Sequence, residues 1–203
     1  MWRKIREEDG CSGYCSLQRG ELGAGRDWGL VLESSMLTFD LNRAYALQKH
    51  RPLTLHPTIG LPSPEDDAPI PITGFIHLVN LYRHFDDMFV GLWNKSRTDC
   101  TTFLLAHLQQ ELTNALPEHL DTTESQAADL RTSQQWLRTL VWQLSIMNGY
   151  LSSTSPDVSM TFKYPIEIAR DLISVTSQLS KQSMEVHGIG LVCTLLITPT
   201  IVC

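Results

Sequence analysis

The stretch TGFIHLVNLYRHFDDMFVGLWN, Thr73 to Asn94, decides the fold class. Its apolar residues Phe75, Leu78, Tyr82, Phe85, Phe89 and Leu92 recur at steps of three and four, with Ile76, Val79, Met88 and Trp93 beside them. That is the period of a helix. The stripe is too wide for a helix lying on the surface, so the segment is expected in the core. Thr73 offers it an N-cap.

The same period continues downstream. Asp99 is placed to cap a helix carrying Leu104, Leu105, Leu108, Leu112 and Leu116 inside, with Pro117 beyond its end. Asp121, Thr122 or Thr123 opens the next helix, whose strongest part is SQQWLRTLVWQLSIMNGYLS. It would bury Trp136, Leu137, Leu140, Val141, Leu144, Met147 and Leu151, leaving Trp142 for a groove or partner surface. SSTSPDVSM reads as a loop. Pro165 suits the first turn of a last helix, and Glu167 complements its dipole. Its inner stripe is Ile166, Ala169, Leu172/Ile173, Thr176, Leu179 and Ser183, with Gly188 and Gly190 ending it.

Upstream, Trp28 to Lys49 is also helical by pattern, with Leu32, Ser35/Met36, Phe39, Arg43 and Ala46/Leu47 near one face. Pro52 stops it. The segment His50 to Pro71 follows, with six of the chain's ten prolines and the acidic run Glu65-Asp66-Asp67. Prolines at 57, 62, 64, 69 and 71 exclude a long helix and a central strand, so this is a connector between two core helices. Five helices and no strand pattern before residue 191 make the fold all-α with a proline-rich internal connector. The expected division is a loop or disordered segment over 1–27, a helical domain over 28–191 and an atypical tail over 192–203. That tail follows GIGL and is apolar and Thr-rich. It reads as a short buried strand or as translated intron, because Val192-Cys193 must be encoded GTN-TGY, which admits the splice-donor sequence GTATGT. In the second case the natural protein is longer.

The totals narrow the class. The 203 residues are 42% hydrophobic and 19% charged, enough apolar content for a packed core. A net charge of −6 gives no basic surface for nucleic acid. No apolar core of a signal peptide follows the basic N-terminus, and no run of about 18 apolar residues predicts a membrane span. Five scattered cysteines fit a reducing compartment.

Several constellations look chemical and are weak on inspection. Cys11 and Cys15 have no second pair at metal spacing. Gly23, Gly25 and Gly29 lack the preceding strand that a phosphate-binding turn needs. His84, Asp86 and Asp87 resemble half of the Asp-rich magnesium motif of isoprenoid cyclases. Phe89 and Val90 stand where its third acid belongs, and no second motif follows. Cys100 sits near a helix N-terminus, which lowers a thiol pKa, but has no His/Asn partner. The seven histidines are dispersed, with no HExxH and no G-x-S-x-G. No catalytic, cofactor-binding or metal residue is nominated.

Arg43 lies eight residues before Arg51, which places both guanidinium groups on similar sides of a helix. NRAYALQKHRPLTLHPTIGLPSP resembles the fungal-specific transcription factor domain, the middle homology region of fungal zinc binuclear cluster regulators. That family carries Asp-Arg, then Gly-Arg-Pro eight residues on, then an extended stretch ending near Leu-Pro. Arg43, Arg51-Pro52 and Leu61-Pro62 match, and Trp28 fits the upstream aromatic. Asn42 replaces the Asp and His50 the Gly. WLRTLVWQLS and FKYPIEIARDLISVTSQLS are similar to the later part, so the likeness spans roughly 28 to 190.

The resemblance implies a non-enzymatic regulatory domain, a fragment of a nuclear transcription factor, with structural contacts for Arg51. It implies DNA as a partner only through a zinc cluster absent from this chain, a second copy in a homodimer, a small-molecule effector, and no membrane. No cofactor is expected. The alternatives are a small α-helical magnesium-dependent isoprenoid-type enzyme using Asp86 and Asp87, or a helical adaptor.

Overall fold

The computed structural model describes residues 42–54 and 69–186. Among these, the regular elements are all helical. They are residues 42–49 (α1), Pro69–Tyr82 (α2), Asp87–Trp93 (α3), Thr102–Asn114 (α4), Glu124–Met147 (α5), Tyr164–Thr176 (α6) and Lys181–Val186 (α7), with a 3-10 turn at Val158–Met160. The all-α class holds for the described residues. The flanking segments 1–27 and 192–203, most of the Trp28–Lys49 helix and the connector's residues 55–68 lie outside them.

The 24-residue helix α5 is the axis of the domain and packs against α6, α4, α2 and α7. Thr123 starts it with a reciprocal cap. Its hydroxyl accepts from Gln126 N at 3.2 Å, and Gln126 Oε1 accepts from Thr123 N at 3.4 Å. The main core gathers Leu47, Leu81, Phe85, Phe89, Leu105, Leu112, Leu137 and Leu144, with members from every helix between α1 and α5. A smaller cluster of Trp142, Tyr164 and Ile168 holds α6 to the other flank of α5.

Several boundaries differ from the sequence expectation. The expected single helix after Thr73 is two. α2 begins at Pro69, so Pro69 and Pro71 sit in its first turn, where an N–H has no intrahelical acceptor to lose. The helix then stops at Tyr82, because Asp86 takes an extended conformation and caps α3 by accepting from Phe89 N at 3.0 Å. Phe85 and Phe89 keep their helical spacing across the break and meet edge-on, which is why periodicity runs through it.

Thr101 rather than Asp99 caps α4, accepting from Leu104 N, while Asp99 pairs with Arg97 on the surface. α5 ends at Met147, short of Leu151. Gly149 takes φ +71° and Tyr150 N donates back to Ser145 O at 3.0 Å. The last expected helix is two pieces, α6 and α7. α6 buries Tyr164, Ile168 and Leu172, one step round from the expected stripe, and leaves Ile166 and Ile173 exposed. The tryptophans exchange roles as well: Trp142 is buried and donates to Thr161 O at 3.0 Å, whereas Trp136 is half-buried against Tyr82.

Candidate functional site

The Arg-Pro segment folds into a clasp that closes α1 onto the α2–α3 break. Arg43 is buried, and its Nε donates to Phe85 O at 2.9 Å. That carbonyl is free to accept because the helix has been interrupted there. At the other end of α1, His50 takes φ +50°, and Arg51 N donates to Ala46 O at 3.0 Å. This six-to-one bond around a left-handed residue is a Schellman ending, and it explains why Gly suits the position His50 occupies. His50 lies parallel on Trp93 with ring centroids 5.6 Å apart, and Trp93 Nε1 donates to Leu47 O at 2.8 Å.

The two arginines therefore do not share a face. The left-handed turn at His50 intervenes, Arg43 points inward, and Arg51 is exposed. The expected structural contacts of Arg51 come from its backbone: its N–H closes α1 and its carbonyl accepts from Asn94 Nδ2 at 3.0 Å. Asn42 has work of its own. Its Nδ2 donates to Thr54 Oγ1 at 2.8 Å and its Oδ1 accepts from Thr54 N at 3.3 Å, tying the exit of the Arg-Pro stretch to the first described turn of α1.

The acidic pair is structural. Asp86 is the cap of α3, and Asp87 stands in its first turn beside the positive helix end. His84 is half-buried, and burial is the main cause holding its pKa below the usual histidine value. Among the described residues, no three His, Cys, Asp or Glu side chains converge as a metal set. Cys100 is buried and its thiol pKa is pushed up by burial and by Asp99, the reverse of an activated nucleophile. Cys11, Cys15, Cys193, Cys203 and the glycines at 23, 25 and 29 fall outside the described residues.

A second polar assembly was not anticipated by the sequence. Arg138, in the middle of α5, is only 6% exposed. Its Nε donates to Tyr164 Oη at 3.0 Å, and its Nη1 to Gln135 Oε1 and Asp171 Oδ2, each at 2.7 Å. Tyr164 Oη donates in turn to Gln109 Oε1 at 3.1 Å, and Gln109 Nε2 donates to Arg138 O at 2.9 Å. The network joins α4, α5 and α6 through buried side chains. Gln134 Nε2 adds a bond to Leu112 O at 2.7 Å. Arg131 Nη2 donates to Pro117 O and, at 2.9 Å, to Glu118 O, holding the chain that leaves α4. A cleft of about 240 Å³ opens over this layer, lined by Arg131, Gln134, Gln135, Arg138, Asp171 and Ser174 among others. The available signal was polar residues at helical spacing, Arg131-Gln134-Gln135-Arg138, inside a stretch otherwise marked as core.

No known family profile matches the chain, and no solved structure matches it. Curated proteins do. Respiratory transcription factor ZNF1 of Saccharomyces cerevisiae is 25% identical over 155 residues, covering 73% of this chain and 33% of that protein. The maltose fermentation regulatory proteins MAL13 and MAL63 of the same species are each 28% identical, over 153 and 155 residues, covering 73% of this chain and 32% of theirs. The chain thus spans about a third of the length of these relatives. Their names describe regulators, in agreement with the non-enzymatic expectation. The likeness first carried by Arg43 and Arg51-Pro52 is thereby supported over most of the chain, which is a homologue of part of a group of yeast transcription regulators.

Proposed function

We propose that these residues are the regulatory helical domain of a fungal transcription factor that acts on RNA polymerase II transcription in the nucleus, without itself touching DNA. The observation that carries this is the 73% coverage of the chain by one segment of proteins named as transcription and fermentation regulators. Two properties of the chain agree. Its charge of −6 repels rather than attracts a phosphate backbone. Its buried arginines, Arg43 and Arg138, are turned to carbonyls and side chains of the fold, leaving no basic face built from them. DNA contact belongs, in this reading, to a zinc cluster outside these residues, with homodimerisation as a further property of the whole regulator.

The test is a tethering experiment. The 203-residue chain is fused to a DNA-binding module of unrelated origin, and a reporter under that module's operator is measured in yeast. The fusion should change reporter output relative to the module alone, and the isolated chain should retard no duplex DNA. Sequence-specific retardation by the isolated chain would overturn the reading. So would magnesium-dependent release of diphosphate from a prenyl diphosphate, the outcome expected of an isoprenoid-type enzyme.

A further inference from the structure

We propose that the cleft between α4, α5 and α6 is a binding site for a small carboxylate anion, a four-carbon dicarboxylate being the size it fits. The inference rests on the regulatory reading only for its purpose, since it would give the domain its effector; the binding itself stands on geometry.

Two guanidinium groups reach the cleft from one face of α5, seven residues apart. Two helical turns separate them by about 10 Å along the axis. They stand in a chain whose overall charge is negative, so this is a local positive site against the general field. Arg138 is preorganised. Its backbone is held by Gln109 and its fork is fixed by Tyr164, Gln135 and Asp171. Those partners engage Nε and Nη1, which leaves the Nη2 edge of the guanidinium for a group in the cleft. A planar fork held in a half-dry site is the arrangement that selects carboxylates.

Asp171 sets the affinity. Its side chain is half exposed while that of Arg138 is buried, so the acid is the mobile member of the pair. In the empty cleft it neutralises Arg138 from the solvent side. An incoming carboxylate competes with it for the same guanidinium. Arg131, at the other end, has its Nη2 on Pro117 O and Glu118 O and offers its remaining N–H groups to a second carboxylate. The volume of about 240 Å³ corresponds to about eight waters at ~30 Å³ each, hence to a ligand of about that many heavy atoms.

The probes are succinate, its neutral analogue butane-1,4-diol, and inorganic phosphate, titrated into the isotopically labelled full chain and followed by amide NMR shifts. Succinate should move the amides of Gln134, Gln135, Arg138 and Ser174 saturably, with no such response to the diol and a weaker one to phosphate. Asp171→Asn, which removes the competing charge and sits at the surface, should tighten succinate binding about tenfold, or ~1.4 kcal/mol. Arg131→Gln should weaken it by a similar factor. Absence of saturable succinate shifts in both the parent and D171N overturns the site. Equal response to the diol or to phosphate overturns the carboxylate assignment. Neither failure touches the regulatory reading, which the tethered reporter decides on its own.

Discussion

Two buried arginines organise two regions of this molecule in opposite ways. Arg43 closes the α1–α3 clasp by reaching a backbone carbonyl, Phe85 O, that a break in the helix has released. Arg138 holds the α4–α5–α6 layer through side chains contributed by neighbouring helices, Tyr164 and Asp171 from α6 and Gln135 from its own turn. Both are 6% exposed. The clasp draws most of its acceptors from backbone carbonyls, those of Phe85, Leu47 and Arg51, and depends on where helices end. The layer uses groups that only this pattern of residues supplies, and depends on all of them being present. In the first region a buried guanidinium reaches a carbonyl dipole; in the second it also meets a carboxylate at the water's edge.

The largest test of that contrast is Arg138→Met. The methionine keeps the bulk but leaves Tyr164 Oη and Gln135 Oε1 without their donor. Breaking a buried charged network of this kind costs several kcal/mol, here about 3–4 because Asp171 is left half in water rather than sealed in. Asp171→Asn should cost ~1 kcal/mol or less, as an exposed partner does. Urea denaturation of the two variants measures the difference. Equal losses would mean that the ion pair, and not the buried side-chain network, carries the layer.

Arg43→Met should cost less, about 2–3 kcal/mol, the range for a hydrogen bond from a charged donor to a buried carbonyl. Its loss should also be local. Hydrogen exchange should quicken at α1 and around Phe85–Phe89 while α5 and α6 keep their protection. Loosening spread evenly over α5 would make the clasp part of the same cooperative unit as the layer.

His50 gives a smaller and more diagnostic pair. His50→Ala keeps the left-handed backbone strain and removes the stack on Trp93, for a loss of about 1–1.5 kcal/mol. His50→Gly relieves the strain while losing the same stack, so it should fall within ~0.5 kcal/mol of the parent. If Ala and Gly prove equivalent, the stack and not the turn geometry dominates the end of α1.

The same contrast explains what could be read from the sequence. The clasp is local, and its parts were visible: Arg43, the Arg51-Pro52 exit and the replacement of Gly by His50 all lie within one short stretch. What failed there was the assignment of partners. Arg51 was expected on the same side as Arg43, but the left-handed turn at His50 swings it outward, and a turn of one residue leaves no trace in a helical period. The α2–α3 break was hidden because Phe85 and Phe89 preserve the period across it, although Asp86 is a good cap and could have marked the new start. The layer was hidden for a different reason. Apolar periodicity finds core positions by hydrophobicity, so Gln134, Gln135 and Arg138 were left out of the expected buried face. Apart from the bond between Arg138 and Gln135, the hydrogen bonds that let them be buried are completed by residues 22 to 33 positions away. No local pattern encodes such a pairing.

Acid should separate the two regions last and most gently. His84 sits at the α2–α3 break, and burial leads the causes that hold its pKa below the usual value, with Arg83 and His107 acting in the same direction and Glu111 and Asp86 opposing. A histidine with a lowered folded pKa is neutral in the fold and charges more readily once unfolded. Its contribution is therefore intact above the unfolded value of about 6.5 and is lost as pH falls below it, until the folded form also takes up the proton. Half of the ring's environment is solvent, so screening keeps the effect under about 1 kcal/mol. Measured between pH 7.5 and 5.5, the parent should lose stability relative to His84→Gln, with exchange rising first around Tyr82–Phe89. Among the described residues, no histidine hydrogen-bonds into the Arg138 network; His77, whose pKa burial and Arg131 lower, acts only at its Arg131 edge, so the amides of Tyr164–Leu172 should hold their protection through the same window. A parent and variant that run parallel over that range would remove His84 as the weak point of the clasp. Loss appearing first at Tyr164–Leu172 would reverse the order of the two regions, making the counter-ion layer the more fragile one.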